Sequence, residues 1–178
     1  WASTFHSACV RMLRRDADRL GFPKSFTIYD TSDQERAMKE VYKELLVDDK
    51  FLPIKSTMGQ IGRMKDQLIS PDEAMEAPQD TKAGLLAKVY RNYSARLKKA
   101  GAMDFDDLLL NMLRVLQECD SARNYYQNRF QYIMVDEYQD TNPVQEALIS
   151  CISRGDNRFM VGDIKQSIYR FRLADPLI

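Results

Sequence analysis

The chain has 178 residues, 44% apolar and 29% charged, and its 26 basic residues balance its 26 acidic ones. This length allows one ordinary core or two small ones, and the charge balance excludes a histone-like polycation while leaving a local DNA-binding stripe open. No apolar run approaches the roughly 18 residues that a membrane span needs, and no basic-then-apolar leader is present, so we expect no membrane partner and a cytoplasmic location. The three cysteines lie far apart in apolar helical stretches, which predicts buried thiols in a reducing compartment: Cys9, Cys119 and Cys151.

The first part of the chain is predicted to be helical after a short extended piece over residues 1–5. This helix runs to Gly21 and has an apolar face and an arginine face, formed by Val10, Leu13, Ala17 and Leu20 and by Arg11, Arg14, Arg15 and Arg19. We interpret the arginine face as solvated, with phosphate contact as the alternative. Residues 26–29 are strand-like, and the S-x-x-E pattern of residues 32–35 predicts a capping box at the start of the next helix.

Further helices are predicted on both sides of a linker-like stretch over residues 76–82. The helix after Pro53 is expected to bury Ile61, Met64 and Leu68, and Ser70 with a following proline begins another helix. The long helix after the linker ends at Gly101 and buries one side, formed by Leu86, Val89, Tyr90, Tyr93 and Leu97. Asp104 is expected to cap the next helix, whose inward face is Phe105, Leu108, Leu109, Met112 and Leu116.

The pattern changes after residue 130. Residues 132–135 form a continuous apolar run, which is typical of a strand buried on both faces, and residues 159–161 form a second run. Asn142 and Pro143 begin a helix between them. Strand, helix and strand in this order predict a parallel βαβ unit, so the expected fold class is α/β with a helical body inserted into it.

Acidic residues follow both predicted strands. Asp136 and Glu137 come directly after the first strand, and Asp163 follows the second. Ligand sites in open parallel sheets form at the carboxyl ends of the strands. Two adjacent carboxylates at this place suit a metal–phosphate site, in which one holds Mg²⁺ through water and the other orients an attacking water. Taken alone, these acids fit equally well with simple capping of the next helix.

Two segments that lie one βα unit apart carry a family resemblance. Residues 136–142 (DEYQDTN) and residues 161–172 (VGDIKQSIYRFR) resemble motifs II and III of superfamily 1A DNA helicases of the UvrD/PcrA/Rep type. Thr4-Phe-His-Ser7 resembles an upstream DNA-contact motif of this family, and residues 102–108 (AMDFDDL) resemble the segment that returns from its helical 1B insertion. The resemblance covers essentially the whole chain.

This resemblance implies a domain organisation and residue roles. Residues 1–20 and 104–178 would belong to a partial RecA-like sheet of the P-loop NTPase type, and residues 21–103 to a mostly α-helical insertion. Asp136 would coordinate Mg²⁺ through water, and Glu137 would be the general base. Further nucleotide-side residues would be Gln139, Asp140 and Gln166, with Gln166 sensing the γ-phosphate. Single-stranded DNA would contact Thr4, Phe5, His6, Tyr169, Phe171 and Arg172, since flat and basic side chains suit a single strand.

Some of these residues also have simpler interpretations. Without its motif, His6 would be an ordinary surface or core histidine, and one of Tyr169 and Phe171 fits core packing. The stretch from Lys165 to Arg172 (KQSIYRFR) also resembles AddA and RecB helicase–nuclease subunits. An AddA-type subunit is therefore one alternative, and a non-enzymatic DNA- or protein-binding module is another.

The activity implied by the resemblance is ATP-dependent 3′→5′ movement on single-stranded DNA with unwinding of duplex DNA. ATP and Mg²⁺ would be the cofactors, single-stranded and duplex DNA the partners, and repair or recombination the setting, with protein partners left open. The sequence contains no G-x-x-x-x-G-K-[ST] phosphate loop. We therefore expect the chain to be a fragment of a larger protein and to be inactive by itself, because the groups that stabilise the transition-state charge are missing.

Overall fold

A computed structural model describes residues 1–77 and 80–163, which form a helix-rich α/β structure. The chain divides into two compact units: unit 1 comprises Trp1–Lys24 and Leu108–Ile178, and unit 2 comprises Ser25–Asp107. These boundaries lie close to the sequence-based division after residues 20 and 103. The assignment of the units to a motor domain and an insertion stays a prediction.

The helices and strands follow one another with short connections. In chain order they are α1 (Phe5–Asp16), a 3₁₀ helix (Ala17–Leu20), β1 (Thr27–Ile28), α2 (Thr31–Leu45), α3 (Ile54–Asp66), α4 (Pro71–Glu76), α5 (Thr81–Lys99), β2 (Ala102–Met103), α6 (Phe105–Glu118), α7 (Asp120–Arg129), β3 (Ile133–Val135), a 3₁₀ turn (Tyr138–Asp140), α8 (Pro143–Ile152) and β4 (Arg158–Met160). Among the helices of the described residues, none is both long and apolar enough to cross a membrane.

In unit 1, the first helix ends as the sequence predicts. Gly21 follows the 3₁₀ helix with φ of +76°, a conformation that glycine adopts without steric cost. Helix α7 was not predicted, because only Ala122 and Tyr126 of its ten residues are buried and its apolar periodicity is weak. Leu13 on α1 and Met112 on α6 are completely buried, which places them in the core of this unit.

Strands β3 and β4 come before and after α8 in the chain, and they pair in parallel with Ile133 opposite Arg158 and Val135 opposite Met160. The predicted βαβ order is therefore confirmed, and the second strand begins one residue earlier than expected. The prediction of a first strand buried on both faces is wrong, because Met134 is 82% exposed. Successive side chains point to opposite faces of a strand, and in the described part of the chain only the face of Val135 is well covered.

Unit 2 contains a second parallel pair, β1 with β2, in which Thr27 lies opposite Ala102 and Ile28 opposite Met103. The two-residue strand β2 was not predicted, since so short a run carries no periodicity. The core of this unit is formed mainly by α2, α3 and α5. It includes the predicted face of α5 and side chains of the other elements: Met38, Val41, Tyr42, Leu52, Ile61, Leu86, Val89, Tyr90, Tyr93 and Leu97.

Three local predictions in unit 2 are wrong. The capping box of α2 joins Asp30 and Asp33, not residues 32–35, because each aspartate side chain accepts the backbone N–H of the other. Leu68 lies beyond the end of α3 with φ of +62° and is exposed, not buried. Phe105, the first residue of α6, is 49% exposed. By contrast, the capping box that begins α4 at Ser70 is confirmed.

The cysteines are free thiols, as expected for the described residues, but only one of them is buried. Cys9 lies in the core, whereas Cys119 and Cys151 are half-buried, so the prediction of three buried thiols is wrong for these two. The reason is their position at helix ends: Cys119 precedes the first residue of α7, and Cys151 lies in the last turn of α8.

Candidate functional site

The candidate site lies at the end of β3. Asp136 and Glu137 are both exposed, and Asp136 Oδ1 accepts the backbone N–H of Glu137 at 2.9 Å. Glu137 has φ of +51°, in the left-handed region that costs a non-glycine residue about 1–2 kcal/mol. The chain therefore turns sharply directly after the strand, and the 3₁₀ turn from Tyr138 to Asp140 follows. Such strained residues gather at functional sites, where the surrounding structure holds them.

A buried glutamine connects this turn to the end of β4. Gln139 is 3% exposed; its Nε2 donates to Glu137 Oε2 at 2.5 Å, and its Oε1 accepts the backbone N–H of Asp163 at 3.0 Å. The backbone makes the same connection, since the N–H of Tyr138 donates to the carbonyl of Val161 at 2.9 Å. The structure thus brings the backbone of Asp163, after the second strand, next to the turn that follows Asp136 and Glu137.

Gly162 lies so close to this turn that an added side chain would crowd it. A Cβ atom at this position would lie 2.4 Å from Gln139 Oε1 and 3.0 Å from the backbone nitrogen of Gln139. The first atom is the end of a flexible side chain, whereas the second belongs to the backbone and would have to shift by a few tenths of an ångström to make room for a methyl group. Glycine therefore suits this close backbone approach. No role of Gly162 is predicted from the sequence, although a glycine directly after an apolar strand is a signal of close backbone approach.

Tyr138 anchors the 3₁₀ turn to α8. Its hydroxyl donates to Glu146 Oε2 at 2.7 Å, and Glu146 Oε1 accepts from Arg158 at 3.1 Å. Burial and the neighbouring Glu146 raise the pKa of Tyr138 to about 12, so its hydroxyl stays protonated and remains a donor at neutral pH. Helix α8 begins with a capping box in which Asn142 accepts the N–H of Gln145. The turn is therefore held at both ends.

The donor set around the turn fits a magnesium ion. Asp140 Oδ1 is buried and has no hydrogen-bond partner among the described residues, and such an unsatisfied oxygen costs about 1–3 kcal/mol. Mg²⁺ is commonly held by one or two carboxylates together with waters and phosphate oxygens. In the described ranges no group of three or more Asp, Glu, His or Cys side chains is arranged to hold a metal by itself. Asp136, which is exposed at the end of β3, suits an ion that takes its other ligands from water and a phosphate.

The predicted DNA-contact residues fall into two groups. Thr4 caps α1: its Oγ1 accepts the N–H of Ser7 at 3.3 Å, and its hydroxyl donates to the hydroxyl oxygen of Ser7 at 3.0 Å. Phe5 and His6 follow in the first turn of α1 and are half-buried. The other predicted DNA contacts lie outside the described residues: Tyr169, Phe171 and Arg172. The same holds for Gln166, which is predicted to lie on the nucleotide side.

Comparison with known proteins identifies relatives along the whole chain. The family model of the UvrD/REP helicase N-terminal domain matches residues 1–178. The chain is 43% identical over 176 residues to the ATP-dependent DNA helicase PcrA of Staphylococcus epidermidis, an alignment that covers 98% of this chain and 24% of that protein. The same figures apply to PcrA of Staphylococcus aureus. The resemblance that the motifs indicate is confirmed, and the chain belongs to the family of UvrD/REP helicase N-terminal domains.

Proposed function

We propose that this chain is part of the motor of an ATP-dependent DNA helicase. The whole protein would couple ATP hydrolysis to 3′→5′ movement along single-stranded DNA and unwind duplex DNA in repair or recombination. Family membership and the names of the relatives support this proposal. The observation that carries it is the buried Gln139, which holds the carboxylate of Glu137 and the backbone of Asp163 at neighbouring strand ends.

In this proposal Asp136 holds the metal and Glu137 is the general base. Bound Mg²⁺ would neutralise charge on the β- and γ-phosphates of ATP. The carboxylate of Glu137 would take a proton from water as the water oxygen attacks the γ-phosphorus and ADP leaves. Gln139 donates to Glu137 and thereby orients it, which makes Gln139 a positioning residue that also connects the site to β4.

The remaining roles belong to residues that the family motif matches. Asp140 and Gln166 would contribute to the nucleotide side, with Gln166 passing the presence of the γ-phosphate to the DNA side. Thr4, Phe5 and His6 would contact single-stranded DNA together with the residues Tyr169, Phe171 and Arg172. The partial RecA-like sheet is part of the same proposal, and the parallel pairing of β3 and β4 supports it.

The chain spans 24% of the length of the PcrA relatives, and its sequence has no phosphate loop. We therefore propose that hydrolysis needs the longer protein, because backbone amides and a lysine must hold the β- and γ-phosphates. The 43% identity to PcrA supports a repair helicase over an AddA-type helicase–nuclease subunit.

The experiment is DNA-stimulated ATP hydrolysis by the full-length protein that contains this chain. Wild type, Glu137→Gln and the matched control Glu118→Gln, an exposed acid of the same unit, would be compared with and without single-stranded DNA. We expect turnover that requires DNA, a loss of about 10²–10⁴-fold in Glu137→Gln, and no loss in the control. Unchanged turnover in Glu137→Gln would show that Glu137 is not the general base. No turnover in a folded protein that binds nucleotide would favour the binding-module alternative.

A further inference from the structure

An exposed surface of unit 1 combines arginines with aromatic rings. We define the arginine–aromatic surface as Trp1, Arg11 and Arg15 from the start of the chain and α1, with Tyr125 and Arg129 from α7. Two guanidinium groups lie over the ring of Trp1: the Cζ atom of Arg11 is 4.0 Å and that of Arg129 is 5.4 Å from its centroid. Trp1 is 50% exposed, so the charges and the ring are together accessible to a ligand.

The ring of Trp1 packs against aromatic side chains that lead into the core of unit 1. Trp1 meets Phe130 edge to face at 5.2 Å, and Phe130 stacks on the buried Tyr126 at 6.0 Å. The hydroxyl of Tyr126 donates to the buried Asp16 at 2.7 Å. A ring that is fixed in this way loses little conformational entropy when it binds a ligand, which favours a binding role.

The guanidinium groups of this surface contact aromatic rings more than carboxylates. The Cζ atom of Arg15 lies 3.4 Å from the centroid of Tyr125. Within the described ranges, neither Arg11 nor Arg129 has a carboxylate oxygen within 4.0 Å. Asp16 is buried and accepts from Arg19 at 2.9 Å and from Arg15 at 3.5 Å, so among the described residues a carboxylate offsets part of the charge of Arg15 but not that of Arg11 or Arg129. An aromatic ring covers only the flat face of a guanidinium group. The N–H donors lie in the plane of that group and can still bind the oxygens of a phosphate.

We infer that the arginine–aromatic surface binds the phosphate backbone of single-stranded DNA and accepts a base against its exposed rings. Arginines that track phosphates and flat rings that accept any base are the combination that single-strand binding uses. The surface is also close in sequence to the predicted DNA segment, since Trp1 comes three residues before Thr4 and Arg11 lies on the same helix as His6. An acidic protein segment would match the charge but would not use the rings. The inference rests on DNA as the partner in the proposed function and not on ATP hydrolysis.

The test measures binding of a fluorescein-labelled 15-nucleotide oligothymidylate to this chain by anisotropy over a series of salt concentrations. Arg11→Gln with Arg129→Gln would be compared with a control that removes the same charge from exposed positions of unit 2, Lys39→Gln with Lys88→Gln. Loss of two phosphate contacts should flatten the slope of log K against log salt by about 1.4 and weaken binding about 10-fold at low salt. The control should bind as wild type does.

A second readout is local, because Trp1 is the single tryptophan of the chain. We expect its emission to be quenched when the oligonucleotide binds. Three results would overturn the inference: no binding by wild type, binding without a change in Trp1 emission and without loss in the arginine variant, or equally tight binding of deca-glutamate. If the arginine variant binds as wild type while Glu137→Gln abolishes turnover in the full-length protein, the inference fails and the proposed function stands.

Discussion

Lys65 Nζ lies 2.7 Å from Asp104 Oδ2 inside unit 2, and both side chains are almost completely buried. The same nitrogen lies 2.6 Å from Asp107 Oδ1, and the hydroxyl of Tyr93 donates to Asp104 Oδ2 at 3.1 Å. The two aspartates also cap the first turn of α6, since each accepts the backbone N–H of the other. One lysine of α3 therefore fixes the start of α6, directly before the chain enters unit 1 at Leu108.

The two carboxylates around Lys65 are not equivalent. Burial alone would lower the pKa of Lys65, but Asp107 and Asp104 outweigh it and raise this pKa well above its ordinary value. For Asp104, burial works against the charged form, yet Lys65 lowers the pKa overall. For Asp107, burial dominates and raises the pKa to about 6. Lys65 is therefore charged and pairs with both carboxylates, and Asp107 is the carboxylate whose pKa burial raises.

Replacing Lys65 by methionine should destabilise unit 2 strongly. The change removes the cation and leaves two buried carboxylates next to each other, which costs about 3–5 kcal/mol. Urea unfolding of the chain, followed by far-ultraviolet circular dichroism, measures the free energy of unfolding.

The matched control is Lys55→Met, an exposed lysine of the same helix, for which we expect a change within about 0.5 kcal/mol. A Lys65→Met protein as stable as this control would show that the buried ion pairs do not stabilise the fold.

Replacing Asp107 by asparagine should change how stability depends on pH. The pKa of Asp107 is raised in the folded protein, so the folded state binds the proton more tightly than the unfolded chain does. Wild type therefore loses stability from this group as the pH rises from about 4 to about 6, whereas the asparagine variant does not. The free energy of unfolding of the variant, relative to that of wild type, should therefore rise by about 1–3 kcal/mol between pH 4 and pH 7.

Urea unfolding at a series of pH values measures this shift, with Asp72→Asn as the control for an exposed aspartate. A difference between Asp107→Asn and wild type that stays constant over this range would mean that Asp107 titrates as an ordinary surface acid.

Replacing Gly162 by alanine should disrupt the connection between the turn after β3 and the end of β4. The new methyl group would overlap Gln139 Oε1 and crowd two backbone nitrogens, so we expect a loss of about 1–3 kcal/mol in the free energy of unfolding. In the full-length protein, displacement of Gln139 should also lower ATP turnover, because Glu137 loses its orienting donor.

Gly59→Ala is the control with the opposite sign. Gly59 lies inside α3 with no atom within 4 Å of an added Cβ, so alanine should stabilise the chain by about 0.5–1 kcal/mol. If both alanine variants are more stable than wild type, the close approach at Gly162 is not present in solution.

The thiols should react at different rates with a disulfide reagent such as DTNB at pH 8. Burial raises the pKa of Cys9 to about 12, so this thiol is neutral and shielded, whereas Cys119 and Cys151 are half-buried. We expect the two half-buried thiols to react first and Cys9 only after unfolding in urea. Cys119→Ser should remove one of the early reactions. Early reaction of all three thiols would contradict the burial of Cys9.

Much of the local structure follows from short stretches of sequence. The capping box at Ser70, the buried side of α5 and the βαβ order around α8 are confirmed, because neighbouring residues determine helical and strand periodicity. Predictions fail where helical spacing alone does not decide burial. Phe105 is such a case, because it has the spacing of the buried face of α6 but is exposed as the first residue of that helix. The family assignment also follows from sequence alone, since the motifs lie in the expected order and spacing.

The sequence by itself therefore determined the family, the main helices and strands, and the position of Asp136 and Glu137 after a strand. Only the tertiary structure decided that Lys65 is buried between two aspartates and that Gln139 joins two strand ends above Gly162. A lysine on a helix is normally a surface residue, and its burial is stable only because Asp104, 39 positions away in the chain, and Asp107 supply the opposite charge. Contacts between residues so far apart in the chain leave no periodic signal in the local sequence.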